Sequence, residues 1–379
     1  MINKVSLVFL ILISTTIFLL PIIKNMNFYT RVYNRQLVAQ KYSNSQYVKG
    51  SGGSGIGDDG LYAFAGDYYF NVGDPSQVNF ENPPLGKYLI GLSIFIFQNE
   101  NTIYILYALI IAIATYLLAL FIYRNKFMAS FSVFILLNSQ MFKIQYIPTS
   151  SDQLSVTLLD LPLTMFLLLS QLFFLKSKNS FQDYVISSVF LGCACATKFF
   201  PAVVIVLFVQ LVYVYKQFRA NLKLWIVSLA TIPLVYLFSY ISFFIYHPSL
   251  INFLKYQKYL IAWRLGNPIV AGNIFRTILM GKYINWWDQK QVIDTQWTVA
   301  IPALVILALL GGLFAIKHKL NCLLYLGSLC IVFLVYLGIG TVGVARYLLP
   351  VYPFLVIISV NCVNIIKSVI LRWLRLRRV

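Results

Sequence analysis

The sequence predicts an all-α, multi-pass membrane protein, and both its composition and its hydrophobic runs indicate this class. Of the 379 residues, 60% are hydrophobic and 11% are charged, whereas a soluble domain has about 45–50% apolar and about 25% charged residues. The mean hydropathy is +0.78, and apolar runs close to the roughly 20 residues of a spanning helix recur along the chain. We therefore expect a single transmembrane domain over residues 1–379.

About ten apolar runs are candidates for transmembrane helices. The first lacks the small-residue cleavage site of a secretory signal, so we expect a retained helix there. The fifth and sixth are short, and Lys198 is expected at the corner between them. In chain order the runs are Val5–Ile23, Thr102–Tyr123, Phe127–Ile147, Ser155–Leu175, Tyr184–Ala196, Phe200–Tyr215, Leu224–Tyr246, Trp297–Ile316, Leu320–Gly338 and Tyr347–Ile366.

Basic residues predict the orientation of these runs. Lys and Arg cluster in alternate connections and in the C-terminal tail Arg372–Arg378, and the positive-inside rule places such clusters in the cytoplasm. Both termini of this plasma-membrane protein are then cytoplasmic, and residues 24–101 and 247–296 form two large outer loops. The formal net charge of +19 is accordingly interpreted as a signal for topology and lipid contact, not for nucleic acid. The five cysteines all lie in apolar runs and indicate no disulfide framework.

The first outer loop contains two adjacent carboxylates, Asp58 and Asp59, directly after a glycine-rich stretch. Adjacent carboxylates at the foot of a helix can perform acid–base chemistry, because like charges and desolvation separate their pKa values. On spacing alone, the simpler interpretation is that one of them caps a helix over Leu61–Phe70. A Pro-Pro pair then predicts a second helix, Leu85–Phe97, which is apolar but too short to span and is expected at the membrane interface.

Three further ionisable residues, Asp160, Lys198 and Arg346, lie at the edges of apolar runs. Charged groups at membrane depth are energetically costly, so they are functional candidates by default. The predicted orientation places all three towards the outer face, as it does Asp58 and Asp59. The alternatives are a structural Asp160–Arg346 ion pair and a Lys198 side chain that snorkels to the interface.

The second outer loop is rich in aromatic residues. Such residues are typical of the headgroup level of a membrane, and they are also the residues that stack on sugar rings. The sequence leaves both interpretations open for Tyr256, Tyr259, Trp263, Tyr283, Trp286 and Trp287.

Several of these motifs together resemble those of GT-C glycosyltransferases. Asp58-Asp59-Gly60-Leu61-Tyr62-Ala63 is similar to the Asp-Glu motif of their first outer loop, although Asp59 stands where Glu is common. Asn82-Pro83-Pro84-Leu85-Gly86-Lys87 resembles the His-Pro-Pro-Leu-Gly-Lys motif of protein O-mannosyltransferases, with Asn82 in place of His. The remaining matches are Leu159–Leu163 with a second acidic motif, Thr197-Lys198-Phe199 with a lysine motif, and Ala345–Pro350 with a late arginine motif.

The resemblance is to the dolichyl-phosphate-mannose–protein mannosyltransferase family and to bacterial aminoarabinose transferases. It implies a GT-C fold and an enzyme that moves a mannose-like sugar from a polyprenyl phosphate to a hydroxyl of a protein, lipid or glycan, with inversion. It also implies roles for the matching residues. Asp58 would be the catalytic base, Asp59 and Asp160 would position it or a divalent ion, Lys198 and Arg346 would bind the lipid phosphate, and Asn82, Lys87, Tyr62 and Tyr347 would position the substrates.

The competing class is a lipid or glycolipid transporter without transferase chemistry. A transporter commonly places its charges near the midplane of the membrane and within repeated halves. This sequence shows no internal repeat, and its unusual charges gather at one face beside a large loop. The pattern favours an enzyme. A divalent cation remains an open question, because the two histidines and the cysteines form no ligand cluster in the sequence.

Overall fold

A computed structural model describes residues 4–71, 73–149, 153, 155–177, 180–198, 201–266, 269–285, 288–363 and 365. The basic tail, the end of the tenth apolar run and the aromatic residues Trp286 and Trp287 therefore lie outside the described residues. Helices dominate the rest, as predicted.

The α-helices are Lys4–Lys24, Met26–Thr30, Arg35–Ser43, Gln46–Lys49, Asp58–Phe70, Leu85–Phe97, Thr102–Tyr123, Lys126–Asn138, Gln140–Lys143, Asp160–Lys176, Phe181–Thr197, Pro201–Gln217, Leu222–Ser228, Thr231–Ser239, Ile241–Tyr246, Leu250–Leu265, Asn273–Met280, Ala300–Lys317, Asn321–Gly340 and Tyr352–Val360. Short 3₁₀ helices cover Gly50–Gly52, Arg219–Asn221 and Ala345–Val351. The second outer loop adds one feature that an all-α prediction omits, an antiparallel hairpin of the strands Lys282–Ile284 and Gln291–Ile293.

Five helical segments in the described residues are long and apolar enough to cross a membrane. The other predicted runs form shorter helices, which confirms the fold class without confirming the number of spans. The five segments are Val5–Lys24, Thr102–Tyr123, Arg219–Ser239, Ala300–Lys317 and Asn321–Gly340.

Prolines explain two departures from the predicted boundaries. The fourth run was expected to be helical from Ser155, but its helix begins at Asp160, which places Pro162 in the first turn. The seventh run divides into three helices, and Pro233 lies in the first turn of the second, Thr231–Ser239. A proline ring collides with the preceding helical turn and offers no N–H, so it is best tolerated in a first turn. Further along a helix it costs a backbone hydrogen bond, as at Pro21 in the helix Lys4–Lys24.

The core of the bundle is formed by helices that are buried on every side. All nine residues of Tyr352–Val360 are buried, and so is most of Asp160–Lys176. The latter packs against Phe181–Thr197 and Thr102–Tyr123. A helix that is apolar all round is expected inside a bundle and not at its surface.

Glycines let the two helices of the first outer loop approach one another closely. These are the acidic helix, Asp58–Phe70, and the Pro-Pro helix, Leu85–Phe97, which both contribute buried residues to the contact. A Cβ atom on Gly91 would lie 2.3 Å from the carbonyl oxygen of Gly66. A Cβ atom on Gly86 would lie 2.7 Å from a methyl group of Leu159 and 2.8 Å from one of Thr197. The start of the Pro-Pro helix therefore touches the residues that precede Asp160 and Lys198.

The close packing at Gly91 predicts a specific loss of stability. Gly91→Ala is expected to lower the free energy of unfolding by about 1–3 kcal/mol, because the new methyl group meets backbone atoms that cannot move aside. Thermal unfolding of the purified protein in detergent measures the change. The matched control is Gly327→Ala, a helical glycine with open space around it. That variant is expected to be neutral or stabilised by up to about 1 kcal/mol. Equal effects of the two substitutions would contradict the packing.

Candidate active site

Four predicted residues form a row of alternating charges. The ammonium nitrogen of Lys198 lies 2.5 Å from Oδ1 of Asp160, and Oδ2 of the same carboxylate lies 3.9 Å from Nε of Arg346. The Nη2 atom of Arg346 in turn lies 2.5 Å from Oδ2 of Asp58. We call Lys198, Asp160, Arg346 and Asp58 the charged row. Each of its two cations is therefore held by at least one carboxylate.

The ends of separate helical segments build this row. Asp160 is the first residue of its helix, and Lys198 directly follows the helix that ends at Thr197. Arg346 lies in the 3₁₀ segment Ala345–Val351, and Asp58 is the first residue of the acidic helix. Both aspartates thus lie where the helix dipole stabilises negative charge.

Two further contacts hold the row in place. The hydroxyl of Thr157 donates to the backbone carbonyl of Asp59 at 2.5 Å, which ties the acidic helix to the extended segment before Asp160. The ring of Tyr347 lies 4.9 Å from the ammonium of Lys198 and 5.7 Å from the guanidinium carbon of Arg346. Both distances are within the range of cation–π attraction. Tyr347 therefore positions the two cations.

The geometry bears on two alternatives from the sequence. Neither Asp58 nor Asp59 is the residue that caps the acidic helix, because the helix already includes both and its N-cap is Gly57. The capping interpretation is therefore wrong. The expected ion pair between Asp160 and Arg346 exists, but Arg346 makes its hydrogen bond to Asp58.

A second polar network surrounds the side chain of Lys87, which is fully buried. Its nitrogen donates to the carbonyl oxygen of Asn79 at 2.6 Å, to Oδ1 of the same residue at 3.0 Å and to the carbonyl oxygen of Asn82 at 2.7 Å. The hydroxyl of Tyr69 lies 3.2 Å away. Burial lowers the pKa of the Lys87 amine well below its ordinary value. Lys87 thus holds the backbone of Asn79 and Asn82 in place, in the segment before the Pro-Pro helix. We call this network the Lys87 clamp.

Asn82 connects this clamp to the rest of the site. Its side-chain nitrogen donates to the hydroxyl of Tyr62 at 3.1 Å, and its side-chain oxygen accepts from Nη2 of Arg264 at 2.8 Å. The same guanidinium donates to the carbonyl oxygen of Glu81 at 2.9 Å. Tyr62 and Asn82 thus belong to one hydrogen-bonded network, and their role in positioning the substrates stays a prediction.

Arg264 is a site residue that the sequence analysis missed. It lies in the helix Leu250–Leu265 of the second outer loop. In the sequence it is one of several scattered cations among aromatic residues, and no motif distinguishes it. Only the structure identifies it, through its hydrogen bond to Asn82.

A cavity of about 480 Å³ opens beside the charged row. The polar part of its lining consists mainly of Lys198, Asp160, Asn82, Arg264 and Tyr347. Apolar side chains form most of the remaining wall, among them Leu163, Ala202, Phe333, Leu337 and Ile339. Arg346 and Asp58 lie outside this lining, and the side chain of Asp58 is 38% exposed.

The carboxylates near the site differ in environment. Burial raises the pKa of Asp59 and also that of Glu81, and the charge of Asp58 contributes in the same direction to both. Within the part of the chain that is described, no group of three His, Cys, Asp or Glu side chains is arranged to hold a metal ion. Because Asp58 and Asp160 are both engaged by cations, the carboxylates of the charged row do not form a donor set that fits a divalent cation.

The buried amine of Lys87 predicts a pH dependence of stability. Its pKa is lower in the folded protein than in the unfolded chain, where it is about 10.4. In the pH range below that value the unfolded chain binds the extra proton, so the free energy of unfolding rises as the pH increases. Thermal unfolding between about pH 7 and pH 9.5 should show wild type gaining stability relative to Lys87→Met. Parallel pH profiles of the two proteins would contradict a depressed pKa.

Comparisons with known proteins concern the sequence pattern and the fold. Residues 81–243 match the family described as dolichyl-phosphate-mannose-protein mannosyltransferase. The crystal structure of ArnT from Cupriavidus metallidurans bound to undecaprenyl phosphate is similar, with a TM-score of 0.63 and 15% sequence identity. The match covers 96% of this chain and 60% of ArnT, so the chain spans about three fifths of that protein. No curated protein matches the sequence. The chain therefore has the fold of a GT-C glycosyltransferase and, over residues 81–243, the sequence pattern of the dolichyl-phosphate-mannose-protein mannosyltransferase family.

Proposed function

We propose that this protein is a membrane glycosyltransferase that moves a mannose-like sugar from a polyprenyl-phosphate donor to a hydroxyl acceptor at the outer face. The observation that carries the proposal is the cavity beside the charged row, whose lining combines the cations Lys198 and Arg264 with mainly apolar side chains. An isoprenoid chain requires apolar surface, and its phosphate requires cations. A donor of this class presents both chemistries in one molecule.

Two cations that line the cavity are placed to bind the donor phosphate, namely Lys198 and Arg264. The side chain of Lys198 is 21% exposed, so a ligand in the cavity reaches its ammonium group. Charge-assisted hydrogen bonds of this kind contribute about 1.5–3 kcal/mol each. Arg346 adds positive charge from outside the lining. The likeness to ArnT, whose structure contains undecaprenyl phosphate, supports this class of donor.

Asp58 is the group best placed to act as the base. Its side chain is 38% exposed, so an acceptor hydroxyl can approach it from water. In the proposed reaction the hydroxyl proton moves to Asp58, and the acceptor oxygen forms a bond to the anomeric carbon. The bond from that carbon to the phosphate oxygen breaks, and the leaving phosphate keeps the electron pair. A direct displacement of this kind inverts the anomeric centre, and Lys198 and Arg264 stabilise the charge that develops on the phosphate.

The orientation in the membrane follows from the basic residues. We place both termini in the cytoplasm and the charged row at the outer face of the plasma membrane. The acceptor is then a hydroxyl of a protein, a lipid or a glycan that is accessible from outside.

The activity itself can be tested with membranes that contain the protein. Incubation with radiolabelled mannosyl phosphoryl undecaprenol, and in parallel with other labelled polyprenyl-phosphate sugars, should transfer label to an acceptor that chromatography and mass spectrometry can identify. Membranes that carry Asp58→Asn are the control. Absence of labelled product with every donor, although the protein is folded, would contradict the proposal.

The role of Asp58 makes a quantitative prediction. Asp58→Asn is expected to lower turnover by about 10²–10⁴-fold, the usual contribution of a general base, and to leave donor binding in place. The matched control is Asp67→Asn on the same acidic helix, because Asp67 pairs with an exposed arginine away from the charged row. Its turnover should stay close to wild type. Turnover of Asp58→Asn within a few-fold of wild type would exclude a role as base.

The phosphate site predicts a loss of donor affinity. Lys198→Ala and Arg264→Ala should each weaken the binding of undecaprenyl phosphate by roughly ten- to a hundred-fold, because each removes one charge-assisted contact. Lys198→Arg should keep part of the affinity, since charge is retained. Titration of the purified protein in detergent measures the affinity. Lys258→Ala, an exposed cation on the same helix as Arg264, is the control and should bind as wild type does. Unchanged affinity in both alanine variants would move the phosphate site elsewhere.

A further inference from the structure

We propose that the charged row couples the two substrates, so that donor phosphate bound at Lys198 draws Arg346 towards Asp160 and thereby releases Asp58 for the acceptor. The inference rests on the proposed function and adds an order of binding, with the donor first. It assigns Arg346 the role of a positioning residue between the two substrates, in place of a direct ligand of the phosphate.

Only one end of the charged row is open to the donor. Lys198 and Asp160 line the cavity, whereas Arg346 and Asp58 do not. Between them lies the ring of Tyr347, which faces the cavity and contacts both cations. An anion that enters the cavity therefore meets Lys198 before it can influence Asp58.

A phosphate at Lys198 disturbs the most deeply buried member of the row. The ammonium that moves to the phosphate leaves Oδ1 of Asp160, a side chain that is only 4% exposed. Water in the cavity is a weak substitute for a cation at a side chain so little exposed, and a buried carboxylate without a charged partner is strongly unfavourable. Asp160 must therefore find another donor within the protein.

Arg346 supplies that donor. Its Nε atom lies 3.9 Å from Oδ2 of Asp160, and within the described part of the chain this buried nitrogen has no hydrogen-bond partner. A movement of about 1 Å brings the pair to the usual hydrogen-bond distance. The contact between Arg346 and Asp160 thus needs only a small movement. When it forms, the buried Nε–H group of Arg346 also gains a hydrogen-bond acceptor.

The same movement loosens the contact at the other end of the guanidinium. Nη2 of Arg346 withdraws from Oδ2 of Asp58, and this carboxylate is exposed enough for water or an acceptor hydroxyl to take its place. An ionised carboxylate that is released by its cation can accept a hydrogen bond from the acceptor hydroxyl. Before the donor binds, Oδ2 of Asp58 is therefore held by Arg346, and an acceptor that arrives first meets a carboxylate already bonded to a cation.

The state of Asp58 can be followed without any transfer reaction. The full-length protein in detergent is treated with a water-soluble carbodiimide and an amine nucleophile, and mass spectrometry measures the modification of Asp58. Saturating undecaprenyl phosphate, which carries no sugar, is expected to increase this modification several-fold. Asp67, paired with Arg35 away from the row, serves as an internal reference whose modification should not change.

Variants distinguish this coupling from a general loosening of the fold. Arg346→Ala should show high modification of Asp58 with or without the lipid. Asp160→Asn should still bind undecaprenyl phosphate, because Lys198 remains, but the increase at Asp58 should disappear, since the neutral amide no longer attracts Arg346. Lys258→Ala should behave as wild type. Thermal unfolding and lipid binding of each variant confirm that it is folded.

The outcomes separate the inference from the proposed function. If undecaprenyl phosphate binds and the modification of Asp58 stays constant or falls, the coupling is wrong and the donor site stands. If the increase persists in Asp160→Asn, the path through Asp160 is wrong. If the protein does not bind the lipid at all, the proposed function fails and the coupling fails with it.

Discussion

The site depends on one buried carboxylate, Asp160, that must be neutralised from two sides. Its side chain is only 4% exposed, and its two oxygens face Lys198 and Arg346. A buried charge of this kind is tolerated only when its partners are in place. This requirement sets the relative positions of the helix that ends at Thr197, the 3₁₀ segment that carries Arg346 and the helix that Asp160 begins. Asp58 joins them because the guanidinium of Arg346 also donates a hydrogen bond, from Nη2, to the carboxylate of Asp58.

The Lys87 clamp is a separate network, in which a buried amine is held by uncharged oxygen atoms and not by carboxylates. Its amine is held by carbonyl and amide oxygens and the hydroxyl of Tyr69, and it fixes the backbone of Asn79 and Asn82. The clamp acts on the site through position, because Asn82 then presents its amide to Tyr62 and Arg264. The two networks approach one another at the cavity, where Asn82, Asp160 and Lys198 all contribute to the lining.

The sequence indicates those residues whose position would be energetically costly without a special reason. Charges at membrane depth are costly, so Asp160, Lys198 and Arg346 are conspicuous among apolar runs. The position of Arg264 carries no such cost, because a cation in an aromatic outer loop is unremarkable until the fold brings it to Asn82. Helix boundaries were less predictable for a related reason. A proline such as Pro162 is compatible with a first turn or with a break, and tertiary contacts decide between them.

The location of the charged row also bears on the choice between an enzyme and a transporter. Asp160 begins a helix and Lys198 follows the end of the next one, so both lie at the same end of an antiparallel pair. The cavity extends along the ends of helices as well, where Gly340 closes the helix Asn321–Gly340. A transport site is expected near the midplane, where it can open to either side. A row at one end, with an apolar cavity at Lys198 and exposed surface at Asp58, instead suits two substrates that approach from different sides and react where they meet.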